Sequence, residues 1–186
     1  MKGKRVFIGL PAGRELQESA CLFRKAHPGL DVRWTRPENL HLTLVPPWQC
    51  DDCGPVCRML QETAARHAPV PVRFTMVAFG PKPRRPGLIW ATGSAPEAVA
   101  TLQRELQAAG PQEGETRRGF LLHLTIARFN AQQYRSFPHV PLPERADWQG
   151  TLEELCLYES FLKPGGAEYR VICSAKLEGE APAMPA

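Results

Sequence analysis

The chain has 186 residues, of which 43% are hydrophobic, so it is long enough for one domain, or for two tightly fused lobes, around a substantial core. Its formal net charge is +4 and its basic residues are scattered, which argues against the dense basic stripe of a protein that coats nucleic acid. No stretch approaches the roughly 20 apolar residues of a membrane span, and the apolar run at 6–10 is shorter than the roughly 7–15 residues of a signal peptide. We therefore expect a cytoplasmic protein.

Apolar periodicity predicts strands and helices that alternate along the chain. The predicted strands lie at 5–10, 32–34, 40–45, 70–79, 88–92, 120–129, 152–161 and 169–177. The predicted helices lie at 14–27, 55–67 and 95–109, with a short helical turn at 132–137. Loops are expected at 111–119 and 138–143, and a disordered tail at 179–186 after a single domain that covers 1–178.

The third predicted helix carries a recognisable start signal. Ser94 and Glu97 have the spacing of a capping box, with Ser94 as the N-cap.

Because several strands follow one another directly, antiparallel sheets in an α+β fold are favoured over a doubly wound parallel sheet. The sequence contains neither a Gly-x-Gly-x-x-Gly fingerprint nor a Walker phosphate loop, so we expect no nucleotide cofactor.

Three of the six cysteines are spaced closely enough to suggest a metal site. Cys50, Cys53 and Cys57 would supply three thiols, but no second Cys-x-x-Cys or His-x-His follows at zinc-finger spacing. We therefore expect no metal, and interpret the stretch as a reduced cytosolic loop that leads into a helix.

Two short stretches share one pattern and dominate the chemistry of the chain. His41 and Thr43 lie in Leu-His-Leu-Thr-Leu, and His123 and Thr125 lie in Leu-His-Leu-Thr-Ile, 82 residues further on. On a strand alternate residues point to opposite faces, so each leucine set faces a core and each His–Thr pair shares the other face. One such pair would be an ordinary exposed histidine beside a β-favouring threonine. Two copies with matching apolar flanks indicate a duplicated half-domain.

Paired histidines are suited to acid–base catalysis. The unperturbed pKa of histidine, about 6.5, lets one imidazole accept a proton while another donates one near neutral pH. The two threonine hydroxyls can donate hydrogen bonds to an anionic oxygen of the substrate. The pattern therefore predicts His41 and His123 as catalytic residues and Thr43 and Thr125 as binding residues.

The doubled His-x-Thr resembles the signature of the 2H phosphoesterases. Within them the chain is most similar to the RNA 2′,3′-cyclic phosphodiesterases, once named 2′–5′ RNA ligases. The similarity extends over nearly the whole chain to about Leu177, in four stretches: Arg5-Val6-Phe7-Ile8-Gly9-Leu10, Arg36-Pro37-Glu38-Asn39-Leu40-His41-Leu42-Thr43-Leu44, His123-Leu124-Thr125-Ile126-Ala127-Arg128 and Leu155-Cys156-Leu157-Tyr158-Glu159-Ser160.

This resemblance implies a bilobal α+β fold, in which two pseudo-symmetric antiparallel-sheet lobes with flanking helices enclose a central cleft. It also implies hydrolysis of a 2′,3′-cyclic phosphate at an RNA or nucleotide end to a 2′-phosphate, without a metal or another cofactor. His41 would then be the general acid and His123 the general base, although the residues alone do not distinguish the two roles. The same acid and base also permit the reverse 2′–5′ ligation. We expect a monomer with no obligate protein partner.

Two further residues are predicted to bind the substrate. Arg128 follows the second motif where the family carries a basic phosphate contact, yet strict alternation puts it on the face opposite His123, so it reaches the cleft only if the strand ends or twists there. After the first motif the family often has a basic residue and Phe-Leu-Gly, where this chain has Val-Pro-Pro-Trp. Trp48 is the candidate to stack on a base instead. The alternative for Arg128 is a surface arginine, and the alternative for Trp48 is a tryptophan that packs the loop.

Three other interpretations stay open at this point. The chain is a nucleotide or RNA-end binding module without turnover, a phosphodiesterase for a different small cyclic phosphate, or a metal protein built on the three cysteines. His27, His67 and His139 lie outside both motifs and receive no catalytic role.

Overall fold

A computed structural model describes residues 3–82, 84–109, 120–137, 142–163 and 166–179. It confirms the predicted fold class, an α+β fold with two antiparallel sheets and flanking helices. The strands are β1 Lys4–Pro11, β2 Arg33–Trp34, β3 His41–Cys50, β4 Val70–Gly80, β5 Leu88–Gly93, β6 Leu122–Arg128, β7 Glu144–Leu152, β8 Glu154–Lys163 and β9 Gly166–Lys176. The helices are α1 Arg14–Ala26, α2 Gly54–Ala64, α3 Glu97–Ala109 and α4 Ala131–Ser136, with a 3₁₀ turn at Pro37–Asn39.

The two sheets repeat one strand arrangement. The first has the order β3-β1-β8-β9, and the second has the order β2-β6-β5-β4-β7. If the two-residue strand β2 is set aside, each sheet is a row of four antiparallel strands with a motif strand, β3 or β6, at one end. The duplicated motif therefore lies on duplicated architecture.

The two sheets are not successive halves of the sequence. The first takes β1 and β3 from the start of the chain and β8 and β9 from its end, whereas the second is built mainly from the middle. Helix α1 follows a strand of the first sheet but packs on β7 of the second. Its buried residues are Leu16, Ala20 and Phe23, the apolar stripe predicted from helical spacing.

The first motif strand is longer than predicted. The sequence predicts an end at Pro46, but β3 continues through both prolines to Cys50. A proline lacks the N–H that a central strand must donate, so it is tolerated in strands mainly at edges and bulges. Among the described strands, β3 pairs with β1 alone and so forms an edge. Its prolines are exposed, and the register shifts between Val6 and Ile8 opposite them.

Strand β7 escapes the sequence-based prediction because its sequence is mostly polar. The prediction leaves 144–151 unassigned and begins the next strand at Leu152, yet Glu144–Leu152 forms the outer edge of the second sheet. Its inward positions include Ala146, Trp148 and Gly150, and α1 covers that face. Inward and outward residues do alternate along β7. Because some inward residues are small, the difference in hydrophobicity between its two faces is weak in the sequence. At Gly150 a Cβ would come within 2.8 Å of Leu16.

The predicted capping box is also wrong. Helix α3 begins at Glu97, so this residue occupies the first helical position rather than the third after a Ser94 cap. The residue before a proline is disfavoured in helical conformation, which delays the helix until after Pro96. The Glu97 carboxylate instead accepts a hydrogen bond of 2.7 Å from Arg104.

The cysteine interpretation needs one correction. Cys57 does not lie in a fully reduced segment, because it forms a disulfide with Cys173 that joins α2 to β9. Cys50 and Cys53 remain free, with their sulfur atoms 3.6 Å apart.

The predicted loops at 111–119 and 138–143 fall wholly or mostly outside the described residues, as does the tail beyond Gly179. Within the described part of the chain, no helix is long and apolar enough to span a membrane.

Candidate active site

The two motif histidines are held in the same way. Nδ1 of His41 lies 2.7 Å from the carbonyl oxygen of Asn39, and Nδ1 of His123 lies 3.0 Å from that of Leu121. A carbonyl oxygen can only accept, so each Nδ1 carries the hydrogen and donates it. Nε2 of each imidazole is therefore the nitrogen left to exchange a proton, and the backbone two residues upstream fixes the ring that carries it.

A matched β-bulge follows each motif. In β3, two consecutive residues of β1 pair with Thr43 and Val45, so Leu44 between them has no partner in β1. In β6, two consecutive residues of β5 pair with Thr125 and Ala127, so Ile126 between them has no partner in β5. The extra residue stands three positions after the histidine in both strands. A bulge of this kind reverses the alternation of side chains beyond it.

The bulge in β6 explains how Arg128 reaches the cleft. Ile126 and Ala127 are both buried, so the next residue emerges on the face of His123 rather than on the opposite face. Arg128 lines the same cleft as His41, and its charge lowers the pKa of His41. The equivalent position in β3 is Pro46, so the bulges give the cleft a cation on one side only.

His41 lies among aromatic rings. The ring centroids of Phe7, Tyr169 and Tyr158 lie 4.8, 5.1 and 5.7 Å from that of His41. Burial of the imidazole is the main cause that lowers the pKa of His41 to about 4, while its hydrogen bond to Asn39 acts in the opposite direction and the charges of Arg128 and His123 lower it further. His41 is therefore neutral in the free protein at neutral pH.

The surroundings of His123 are different. Its ring meets the edge of Trp90 with centroids 5.3 Å apart, and Trp90 pairs across the strands with Thr125. The indole lies directly on Gly80, where a Cβ would come within 2.3 Å of the ring. Sequence reasoning places Trp90 in a strand but gives it no role. Trp90 is in register with Thr125 of the second motif and packs over a glycine of the neighbouring strand.

The cleft beside His41 has a volume of about 500 Å³. Thr43 and Arg128 contribute to its wall, together with Arg5, whose guanidinium donates a 2.7 Å hydrogen bond to Ser160. Three other predicted site residues, His123, Thr125 and Trp48, are not among the residues that line this cleft. Trp48 packs half-buried against the core, while its neighbour Pro47 lines the cleft. The remaining cleft residues are Phe7, Arg33, Leu162, Lys163, Gly166, Ala167 and Tyr169.

The chemistry of these residues suits an anionic, proton-transferring reaction. Two imidazoles lie close enough for the charge of one to affect the pKa of the other, and half-buried hydroxyls stand beside them. Guanidinium groups match the geometry of phosphate oxygens. Within the described residues, no group of three or more His, Cys, Asp or Glu side chains is arranged to hold a metal ion.

Known proteins with the same architecture cover nearly the whole chain. The family model of the 2′-5′ RNA ligase superfamily matches residues 15–160. An RNA 2′,3′-cyclic phosphodiesterase of Aquifex aeolicus (strain VF5) is 22% identical over 184 residues, covering 92% of this chain and 96% of that protein. The crystal structure of TT0787 of Thermus thermophilus superposes with a TM-score of 0.80 at 25% identity, over 95% of this chain and all of that one.

A third relative has been crystallised with ligands. LigT of E. coli in its apo form superposes with a TM-score of 0.71 at 20% identity, over 95% of this chain and 98% of LigT. Further crystal structures of LigT contain 3′-AMP, ATP or NADP+.

Proposed function

The chain belongs to the 2′-5′ RNA ligase superfamily, and we propose that it hydrolyses 2′,3′-cyclic phosphate ends of RNA to 2′-phosphates by two-histidine acid–base catalysis that needs no metal. The observation that carries the proposal is the identical anchoring of His41 and His123. Each imidazole donates from Nδ1 to the backbone and keeps Nε2 for the substrate.

Hydrolysis of a cyclic phosphate requires two opposed proton transfers. One imidazole removes a proton from water as the water oxygen bonds to phosphorus, and the other gives a proton to the 3′ oxygen as its bond to phosphorus breaks. The phosphate then remains on the 2′ oxygen. If the 5′ hydroxyl of a second strand takes the place of water, it gives its proton to the base and bonds to phosphorus while the 3′ oxygen leaves with the proton of the acid, so 2′–5′ ligation of the cyclic end uses the same two groups.

The remaining residues stabilise the phosphate. Thr43 and Thr125 stand two residues after the histidines on the same faces and donate hydrogen bonds to the non-bridging oxygens. Arg128 adds the positive charge that the first motif lacks. Placed donors of this kind lower the barrier because negative charge on those oxygens changes as the reaction proceeds.

The proposed roles of the two imidazoles rest on the family resemblance. The family resemblance implies His41 as the acid, which must be protonated when it acts. In the free protein the pKa of His41 is lowered to about 4, mainly by burial. A bound phosphate anion acts in the opposite direction and raises that pKa. We therefore propose that His41 takes up its proton together with the substrate.

Two observations on relatives support the substrate class. The Aquifex relative is named an RNA 2′,3′-cyclic phosphodiesterase, and E. coli LigT has been crystallised with 3′-AMP and other nucleotides. A phosphorylated nucleotide end is accordingly the ligand that we assign to the cleft.

The test is turnover of a short RNA that ends in a 2′,3′-cyclic phosphate, with a chelator present. We expect wild-type protein to open the ring, and His41→Ala or His123→Ala to lower the rate by at least about 10², the usual contribution of acid–base catalysis. His67→Ala is the matched control, because His67 bonds Glu105 outside the motif strands and should leave the rate unchanged.

Three outcomes would refute parts of the proposal. Near-normal turnover in a motif variant removes that histidine from the mechanism. Activity that disappears with the chelator and returns with zinc or magnesium contradicts the metal-free reaction. Binding of the RNA without any conversion indicates a nucleotide-binding module, and conversion of only smaller cyclic phosphates indicates a different substrate.

A further inference from the structure

Two arginines stand directly opposite each other beside the proposed catalytic cleft. In the antiparallel pairing of β2 with β6, Arg33 is the cross-strand partner of Arg128. Directly opposed residues point to the same face of a sheet, and like charges in that position destabilise it. Both side chains are exposed, and neither forms an ion pair with another of the described residues. An anion between the two guanidinium groups would relieve the repulsion.

The position of Arg33 is fixed from the other sheet. Its guanidinium lies against Gly166, the first residue of β9, where a Cβ would come within 2.8 Å of Nε and 2.9 Å of Cζ. Gly166 also has a φ of +125°, a conformation that other residues rarely adopt. Gly166 thus leaves room for the guanidinium of Arg33, which lines the cleft.

A second cavity of about 480 Å³ adjoins the first at this point. Arg33, Arg128, Lys163 and Tyr169 line both cavities, and Arg36 joins them in the second. Among the described residues that line the two cavities, Glu168 is the one acidic side chain, and it pairs with Lys163. The charge of the combined surface is therefore strongly positive, although the whole chain carries only +4.

We propose that Arg33 forms a second phosphate site together with Arg128, whose five N–H donors serve both this site and the cyclic phosphate between the histidines; the second site binds the phosphate on the 5′ side of the same nucleotide. The inference rests on the proposed function and narrows its substrate class from any cyclic nucleotide to one with a 5′ phosphate. Two facing guanidinium groups can each donate to the oxygens of one phosphate group. The second cavity has room for the RNA strand that continues from this 5′ phosphate.

The experiment compares three substrates that differ only at the 5′ position. They are adenosine 2′,3′-cyclic phosphate, its 5′-monophosphorylated form, and an adenylyl dinucleotide with the same cyclic end. The variant is Arg33→Ala. The matched control is Arg145→Ala, which removes an exposed arginine from β7 at the opposite edge of the same sheet.

We expect wild type to have a higher kcat/KM for the two substrates with a 5′ phosphate. Arg33→Ala should lower kcat/KM for those two by about tenfold or more, the usual effect of losing a hydrogen bond to a charged group. It should change kcat/KM for adenosine 2′,3′-cyclic phosphate by less than about twofold. Arg145→Ala should leave kcat/KM for all three substrates unchanged. A gain with the dinucleotide identifies an RNA strand as the source of the phosphate, and a gain with the monophosphate alone identifies a free nucleotide.

A binding measurement separates this inference from the proposed function. Calorimetry compares adenosine 2′-phosphate with adenosine 2′,5′-bisphosphate, so it needs no turnover. If no substrate is converted, the proposed function fails, while an affinity gain from the 5′ phosphate that Arg33→Ala abolishes still supports the site. The site is overturned if wild type shows no such gain, or if Arg33→Ala weakens ligands with and without a 5′ phosphate equally.

Discussion

At the scale of single residues, the two motif histidines share a backbone anchor but differ in their neighbours. Both donate Nδ1 to a carbonyl oxygen two residues upstream. His41 is enclosed by Phe7 and two tyrosines, whereas His123 contacts Trp90. Because burial lowers the pKa of His41 to about 4, that imidazole is neutral in the free protein at neutral pH. The motif alone does not show this, since it depends on the aromatic rings around His41.

The pKa of His41 predicts how stability depends on pH. In the unfolded chain His41 binds a proton below about pH 6.5, whereas the folded protein resists protonation down to about pH 4. The unfolded state therefore binds more protons between these values, and the free energy of unfolding falls as pH drops through the window, by up to about 3 kcal/mol. Urea unfolding of wild type and His41→Asn at pH 7, 5.5 and 4 measures this. As pH falls, the free energy of unfolding should decrease more steeply for wild type than for His41→Asn. An equal decrease in both proteins would contradict the assigned pKa.

The residual activity of His41→Ala distinguishes acid from base. With His41 removed, the pH profile of the slow remaining reaction reports His123 alone. If His123 is the base, kcat/KM rises with pH as the imidazole loses its proton, and this is the expected result. A rate that falls with rising pH would instead make His123 the acid and reverse the roles.

At the scale of elements, the sequence predicted the faces of both motif strands but not their bulges. Period-two alternation correctly placed Leu42 and Leu124 in the core and the His–Thr pairs on the other face. Alternation alone left Arg128 on the wrong face, because a bulge is set by the pairing of two strands and has no mark in one strand's pattern. In each copy a pair of consecutive apolar residues, Leu44-Val45 and Ile126-Ala127, was the available sign, and the structure buries both residues of each pair.

The packing of β1 against β3 yields a further prediction. A Cβ at Gly9 would come within 2.6 Å of the carbonyl oxygen of Leu42 and 3.4 Å of the ring of His41. Gly9→Ala should push the motif strand outward, destabilise the protein by about 1–3 kcal/mol and lower kcat/KM. Gly87→Ala is the control, since its nearest neighbour, the carbonyl oxygen of Phe129, is 3.7 Å away. Thermal unfolding and turnover measure both effects, and equal behaviour of the two variants would refute the argument.

At the scale of the whole molecule, the sequence indicated two lobes but not how the chain connects them. The duplicated motif correctly predicted repeated antiparallel sheets. It could not reveal that the first sheet joins strands from both ends of the chain, because such pairing depends on contacts far apart in the sequence. The disulfide is of the same kind: Cys57 and Cys173 are 116 residues apart, and no local pattern links them.

That long separation predicts the effect of the disulfide on stability. Closing a large loop restricts the unfolded chain, and a disulfide typically adds about 2–4 kcal/mol. Cys57→Ser should lower the free energy of unfolding by this amount, and a reductant should lower it equally in wild type but not in the variant. Cys21→Ser, which removes an exposed free cysteine, is the control. A wild-type unfolding midpoint that does not respond to the reductant would show that the bond does not contribute.

The identity of the product decides whether the two histidines catalyse hydrolysis of a cyclic phosphate. An RNA that ends in a 2′,3′-cyclic phosphate is incubated with wild-type protein and a chelator in water labelled with heavy oxygen, and its terminal nucleotide is isolated. We expect a 2′-phosphate that carries one labelled oxygen, formed at least about 10²-fold more slowly by His41→Ala or His123→Ala. A 3′-phosphate, an unlabelled product, or an intact cyclic end on RNA that the protein binds would contradict it.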